Sequence, residues 1–157
     1  MPGKSTKMIQ KLNHHTTEVA AAIRDVFQAS YAVEAKLLDA TDFPPLKRPL
    51  KGYTDCQNDF YGYCLNEDLA GVVEVDDFGT GTHIQSLVVH PSYFRQGIGS
   101  ALVTMVLNSY DSPFFTVETG LANGPATVLY LKHGFREVSQ YDTDHGVRKV
   151  RFEKKSL

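Results

Sequence analysis

The pattern of apolar positions changes from helical to strand-like near residue 60. Before that point, apolar residues recur at helical spacing over residues 19–38, and Thr16 or Thr17 can cap the helix that this spacing predicts. This helix would be long for a globular protein, so we consider a break near Ser30 beside a continuous helix. A short strand over residues 8–12 precedes it.

Strand-like segments dominate the second part of the chain. Residues 60–65, 70–75 and 83–89 are separated by turn-forming clusters, and short turns between three strands predict an antiparallel meander. The chain then continues as helix, strand, helix and two strands, which we predict over residues 97–108, 114–119, 125–133, 135–141 and 147–153. This order predicts an α/β or α+β fold around a mixed sheet.

Composition narrows the class of protein. The chain has 157 residues, of which 42% are hydrophobic and 22% charged, with a formal net charge of −2. These values are typical of a globular protein and disfavour a general nucleic-acid binder. No apolar run approaches the ~20 residues that a membrane span needs. We therefore expect a single domain over residues 1–157, with no nucleic-acid or membrane partner. Cys56 and Cys64 have the spacing of neither a redox pair nor a zinc site, so we expect reduced thiols and a cytoplasmic protein.

A glycine-bearing turn joins a buried strand to an amphipathic helix at Gly97 and Gly99. Backbone amides at a helix N-terminus lack intrahelical partners and lie at the positive end of the helix dipole, so they suit an anion. The complete dinucleotide pattern is not present, because Leu102 stands where its third glycine would be. Alone, the turn predicts either a phosphate site or a tight strand-to-helix connection.

A second segment, from Asn123 to Phe135, favours the phosphate site. Together with residues 94–99 it resembles the GNAT superfamily of N-acetyltransferases. The family's phosphate motif is Q/R-x-x-G-x-G/A, and Phe94 departs from it at the Gln/Arg position. Its second motif, N-x-x-A-x-x-L-Y-x-x-x-G-F, matches at Asn123, Ala126, Leu129, Tyr130, Gly134 and Phe135. The resemblance implies a mixed, mostly antiparallel sheet of about six to seven strands with about four helices.

The resemblance also implies acetyl-CoA, or another acyl-CoA, as donor, with no metal. Backbone groups of Leu87 and Val89 would pair with the pantetheine arm, and one amide would polarise the thioester carbonyl. Asn123 would contact the arm from the other side of an opening in the sheet. The backbone amides expected to hold the pyrophosphate belong to Arg95, Gln96, Gly97, Ile98, Gly99 and Ser100.

Three residues are candidates for proton transfer. Tyr130 stands at the position whose phenol is the general acid in many family members, although it can instead pack against the cofactor. For the base, strand alternation places His83 on the face of Leu87 and Val89, where histone acetyltransferases carry Glu and serotonin N-acetyltransferase carries His. Glu74 on the neighbouring strand is the rival. Either residue can instead be an ordinary surface side chain.

The amine acceptor is expected near the first two helices. The resemblance places Tyr31, Glu34 and Phe43 there, although Tyr31 can equally be a core residue. A small molecule, a peptide or a protein can supply the amine, and a homodimer is considered beside a monomer. The expected function is N-acetyl transfer by direct attack in a ternary complex. The alternative is a CoA-binding module without catalysis, acting as a sensor or interaction domain.

Overall fold

The computed structural model describes residues 6–156, and within them seven strands form one sheet in the order β1-β2-β3-β4-β5-β7-β6. The strands are β1 (Lys7–Lys11), β2 (Asp59–Leu65), β3 (Asp68–Asp77), β4 (Thr82–Val89), β5 (Phe114–Gly120), β6 (Arg136–Asp142) and β7 (Arg148–Lys155). The four α-helices of this part of the chain are α1 (Thr17–Leu37), α2 (Lys51–Thr54), α3 (Ile98–Ser109) and α4 (Gly124–Lys132). The predicted fold class is confirmed.

One pair of neighbouring strands is parallel, whereas the other pairs are antiparallel. The parallel pair, β4 and β5, is joined only from Thr82–Phe115 to Ile84–Val117. Beyond these residues the two strands part and leave a fork in the sheet. Each strand therefore presents backbone groups without a partner strand along the inner edge of the fork.

Helices cover both faces of the sheet and set the walls of this fork. On one face, Leu102 and Val106 of α3 pack with Val73 of β3 in the larger apolar cluster. The helix approaches so closely that a Cβ on Gly71 would lie 2.7 Å from the Ile98 Cγ2 atom, so a glycine is needed there. Ile23 and Phe27 of α1 pack with Val72 and Val88 on the opposite face.

Helix α1 is continuous through Ser30, so the expected alternative of a break there is wrong. The segment has no glycine or proline and is rich in alanine, which favours an uninterrupted helix. Thr16 caps it by accepting a hydrogen bond from the Val19 amide at 3.3 Å. As a result, one rigid element carries side chains from the core to the fork. Among the described residues, no helix is long and apolar enough to cross a bilayer.

Candidate active site

Two cavities meet at the fork. The first, here called the fork cavity, has a volume of about 370 Å³ and lies between α1, β4, β5 and the segment 43–45. The second, the α3 groove, has a volume of about 570 Å³ and lies between α1, α4 and the N-terminus of α3. The two cavities share a set of lining residues, here called the junction: Glu34, Leu87, Asn123, Ala126 and Tyr130.

The N-terminus of α3 forms one end of the α3 groove. Gly97 caps this helix with a φ of 76°, and no atom lies within 4 Å of the position that a Cβ would occupy there. The hydroxyl of Ser100 is hydrogen-bonded to the ring of His133 at 2.8 Å, which links the start of α3 to the end of α4. Of the residues expected to bind the donor, only Gln96 does not line the groove. The others do: Leu87, Val89, Arg95, Gly97, Ile98, Gly99, Ser100, Asn123 and Tyr130.

Sequence reasoning missed the other walls of the α3 groove. Ser30, Val33 and Leu37 contribute one wall from α1. Their spacing with Glu34 places all four residues on one helix face, and this spacing is visible in the sequence. Val128 and Lys132 of α4 lie opposite. Val128 is 66% exposed and Leu37 is 48% exposed. The groove therefore has an apolar rim that no other part of the described chain covers.

Tyr130 lies at the junction and is buried, with 4% of its surface exposed. Its ring packs against Phe135 and Phe152, with ring centroids 5.7 and 5.9 Å away. Burial raises the pKa of Tyr130, and the nearby Tyr31 and Glu34 raise it further. The phenol therefore keeps its proton at neutral pH and can act as a donor.

Glu34 lies beside Tyr130 at the junction. Its Oε1 atom accepts a hydrogen bond of 3.2 Å from the Asn123 side-chain amide. Burial raises the pKa of Glu34 and outweighs the opposite effects of the Asn123 hydrogen bond and the Lys149 charge. Within residues 6–156, Glu34 forms no ion pair. The carboxyl group thus lines both cavities without an ion-pair partner among these residues.

Tyr31 and Phe43 line the fork cavity, where the sequence places them with Glu34. The ring of Tyr31 contacts those of Phe43 and Phe27 edge to face, with centroids 5.9 and 5.8 Å apart. Tyr31 is therefore both a lining residue and part of the packing between α1 and the neighbouring loop. Burial raises the pKa of its hydroxyl.

Glu74 is buried, at 1% exposure, and lines neither cavity, so its expected alternative as a solvent-facing side chain is wrong. Arg48 binds both carboxylate oxygens at 2.7 and 3.2 Å, and Asn58 donates to Oε2 at 2.8 Å. Burial alone would raise the pKa of Glu74, but the hydrogen bonds and charge of Arg48 outweigh it and lower the pKa. This arrangement suits a structural anion rather than a proton acceptor.

His83 does not share the face of Leu87, which corrects the alternation argument. The register of β3 and β4 shifts between Glu74 and Val75, so that Ser86 pairs with Glu74 and Ile84 with Val75. The extra β4 residue at this bulge places His83 on the face opposite Ile84, which packs in the cluster beneath α3, and His83 lines neither cavity. Its ring is hydrogen-bonded to the Thr116 hydroxyl at 2.7 Å, and burial lowers its pKa.

The family model of the acetyltransferase (GNAT) domain matches residues 44–156. This match covers most of the chain and both segments that carry the predicted motifs. The chain belongs to the GNAT family of acetyltransferases.

A curated relative of this GNAT domain is the UPF0157 protein YqkA of Bacillus subtilis, which is 31% identical over 141 residues. The match covers 89% of the chain but only 41% of the relative, so the chain spans about two fifths of that protein's length.

Solved structures share the fold of this GNAT domain at low sequence identity. The ribosomal-protein-S18-alanine N-acetyltransferase of Escherichia coli is 19% identical with a TM-score of 0.75, over 96% of this chain and 94% of that one. The PaiA N-acetyltransferase of Thermoplasma acidophilum, solved in complex with coenzyme A, is 17% identical with a TM-score of 0.71, over 96% and 99% of the two chains.

The described part of this GNAT domain holds no group of three or more His, Cys, Asp or Glu side chains arranged to bind a metal ion. The one departure from the family's phosphate motif, Phe94, lines the α3 groove and is 42% exposed. Its position leaves the neighbouring backbone of the turn accessible. The site therefore offers a groove for an anionic, partly apolar ligand and a second cavity beside it.

Proposed function

We propose that this GNAT domain transfers an acetyl group from acetyl-CoA to a primary amine by direct attack in a ternary complex. The observation that carries the proposal is the junction, where a groove ending in a helix N-terminus meets a separate cavity. A donor in the groove and an amine in the fork cavity meet beside Tyr130 and Glu34. Such positioning supplies a large part of the rate acceleration in a bimolecular reaction.

The α3 groove suits acetyl-CoA along its whole length. The amides at the start of α3 would hold the pyrophosphate, with Arg95 and Lys132 adding positive charge to the same groove. The edge of β4 beyond Ile84 lacks a partner strand on the β5 side and can pair with the pantetheine amides. The complex of PaiA with coenzyme A, in a related fold, supports this choice of donor.

Glu34 and Tyr130 divide the proton transfers between them. Glu34 takes a proton from the ammonium group and later releases it to solvent, which leaves a nitrogen lone pair. The nitrogen attacks the thioester carbonyl carbon, and the carbon–sulfur bond breaks as the carbonyl re-forms. Tyr130 gives its proton to the departing sulfur and recovers one from the nitrogen. The products are the N-acetyl amide and coenzyme A.

The surroundings of Cys56 support direct transfer over a covalent acyl-enzyme. Its Sγ atom lies 3.5 Å from Glu74 Oε2, and the residue lines neither cavity. Burial raises the pKa of this thiol, and the nearby Glu74 carboxylate raises it further. A thiol held protonated is a poor nucleophile.

Thermal-shift titration and a thiol-release assay test the proposal together. Acetyl-CoA and coenzyme A should raise the melting temperature and ATP should not, since a ligand at a hundredfold excess over its Kd stabilises by about 2.7 kcal/mol. Thiol release should then require an amine. Stabilisation without turnover over a broad amine panel would instead support a CoA-binding sensor or interaction module. No stabilisation by either coenzyme would contradict the donor assignment.

A further inference from the structure

The charged side chains that line the fork cavity are Glu34, Arg48, Glu118 and Lys149. Two of the four are already neutralised by ion pairs. Arg48 binds Glu74 at 2.7 Å, and Glu118 accepts a hydrogen bond of 2.8 Å from Arg151. Within the described residues, Glu34 and Lys149 have no ion-pair partner. The cavity therefore offers one carboxyl group and one ammonium group that form no ion pair with the described residues.

These two groups occupy different parts of the site. Glu34 lies at the junction and lines both cavities, whereas Lys149 lines only the fork cavity. Lys149 pairs with Gly120 across the sheet, and the next residue, Val150, is buried in the core beneath α3. Since side chains alternate along a strand, Lys149 points to the opposite face. Its charge is thus placed away from the donor's phosphates and towards the acceptor.

We propose that the acceptor is a small amine that also carries a carboxylate, as a free amino acid does. The inference rests on the proposed N-acetyl transfer and names the acceptor class of the same site. The ammonium group of such a molecule would lie at Glu34 and its carboxylate at Lys149, so neither protein charge stays unpaired. Unpaired charges in a partly buried cavity are unfavourable, which makes the match selective.

Size and charge disfavour the other amine classes. The volume of about 370 Å³ lies near the lower end of the ~300–1,000 Å³ that is usual for small-molecule pockets. A polyamine or an aminoglycoside would bring a second cation into a cavity that already holds Lys149. A decarboxylated amine would leave Lys149 without a partner. The rings of Tyr31 and Phe43 supply an apolar wall for the rest of the molecule.

Matched acceptors test the proposal in the thiol-release assay. Each of the twenty common amino acids is compared with its carboxamide and with the amine that lacks the carboxyl group, and spermidine is included as a polycation. For the preferred side chain, we expect kcat/KM for the amino acid to exceed that of its carboxamide by about 10- to 100-fold, the range for a charged hydrogen bond. Equal or better turnover of the uncharged analogues or of spermidine would overturn the proposal.

Lys149→Met connects the preference to this residue. The loss in kcat/KM should be about 10- to 100-fold larger for the amino acid than for its carboxamide, so that the preference collapses. Removing the Lys149 charge also raises the pKa of Glu34, which lowers the turnover of both acceptors alike. Lys149→Arg should keep most of the preference. Lys155→Met is the matched control, because Lys155 lies on the same strand, is exposed and lines neither cavity. An equal loss for both acceptors in Lys149→Met would contradict the proposal.

A binding measurement separates failure of this inference from failure of the proposed function. If no amine releases thiol, the same acceptors are titrated by calorimetry into the protein saturated with coenzyme A. Binding of an amino acid but not of its carboxamide, with loss in Lys149→Met, would support the acceptor class although transfer is refuted. No binding of any amino acid would overturn the acceptor class. Turnover of amines without a carboxylate preference would overturn it while leaving N-acetyl transfer intact.

Discussion

Asn123 fixes the position of Glu34, although the two residues are 89 positions apart in the sequence. Its side-chain oxygen caps α4 by accepting a hydrogen bond of 3.2 Å from the Ala126 amide. Its side-chain nitrogen donates to Glu34 Oε1, also at 3.2 Å. One side chain thus couples the start of α4 to the last turn of α1 at the point where the two cavities meet.

Asn123→Asp keeps the side-chain oxygen that caps α4 and removes the N–H group that donates a hydrogen bond to Glu34. An aspartate oxygen can still accept from the Ala126 amide, so the α4 cap should be kept, whereas the lost hydrogen bond and the like charges should lower the free energy of unfolding by about 1–3 kcal/mol at neutral pH. The new carboxylate should raise the pKa of Glu34 further, through like charge and loss of the hydrogen bond to its ionised form. The acid side of the pH–rate profile should therefore move to higher pH. An unchanged profile in a folded variant would show that Asn123 does not act on Glu34.

Tyr130→Phe tests the proton donor. The phenylalanine ring keeps the contacts with Phe135 and Phe152, so the melting temperature should change little. Loss of the hydroxyl should lower kcat by about 10²- to 10⁴-fold, the usual contribution of a general acid. The affinity for acetyl-CoA, measured by calorimetry, should stay within a few-fold of wild type. Full activity in this variant would exclude Tyr130 as the acid.

Gly97→Val tests the phosphate end of the α3 groove, and Gly79→Val is its control. Both glycines have positive φ, 76° and 83°, and at both positions the space around a Cβ is open. Each valine should therefore destabilise the fold similarly, by about 1–2 kcal/mol. Only Gly97 lines the groove, so only that variant should lose affinity for acetyl-CoA. Equal binding by the two variants would refute the pyrophosphate position.

Glu74→Gln tests whether Glu74 stabilises the fold or takes part in proton transfer. The variant leaves the Arg48 charge without its partner, so stability should fall by about 3 kcal/mol. Because the pKa of Glu74 is lowered in the native state, its stabilising contribution exists above the unfolded pKa and disappears as pH falls through the folded pKa. The difference in melting temperature from wild type should therefore shrink in acid. At a temperature where both proteins are folded, the shape of the pH–rate profile should be unchanged.

Several features of the fold followed from local patterns. The spacing of apolar residues predicted the long helix, the meander of three strands and the closing hairpin, because each depends on neighbours in the sequence. The two motifs indicated the part of the α3 groove that lies between β4, the glycine turn and the start of α4, since Asn123, Tyr130 and the glycine turn lie within short segments. That these residues bind the donor stays a prediction.

The errors arose where distant residues decide the outcome. Glu74 is paired with Arg48, which is 26 positions away in a loop, and no local pattern indicates that pair. His83 was placed on the wrong face because the bulge in β4 depends on how β3 pairs with it. The role of Glu34 depends likewise on two cavities formed by separate elements. Whether residues 1–157 are one domain stays a prediction.

Glu34→Gln provides the most direct measurement, as a pH–rate profile beside that of wild type. The wild-type kcat/KM for the amine should fall in acid as Glu34 becomes protonated. Without the carboxylate only the free amine can react, so the variant should lose about 10²- to 10⁴-fold at neutral pH and recover toward the pKa of the amine. Exposed Glu67→Gln should match wild type. Two profiles of the same shape, separated by a constant factor, would contradict Glu34 as the proton acceptor at the junction.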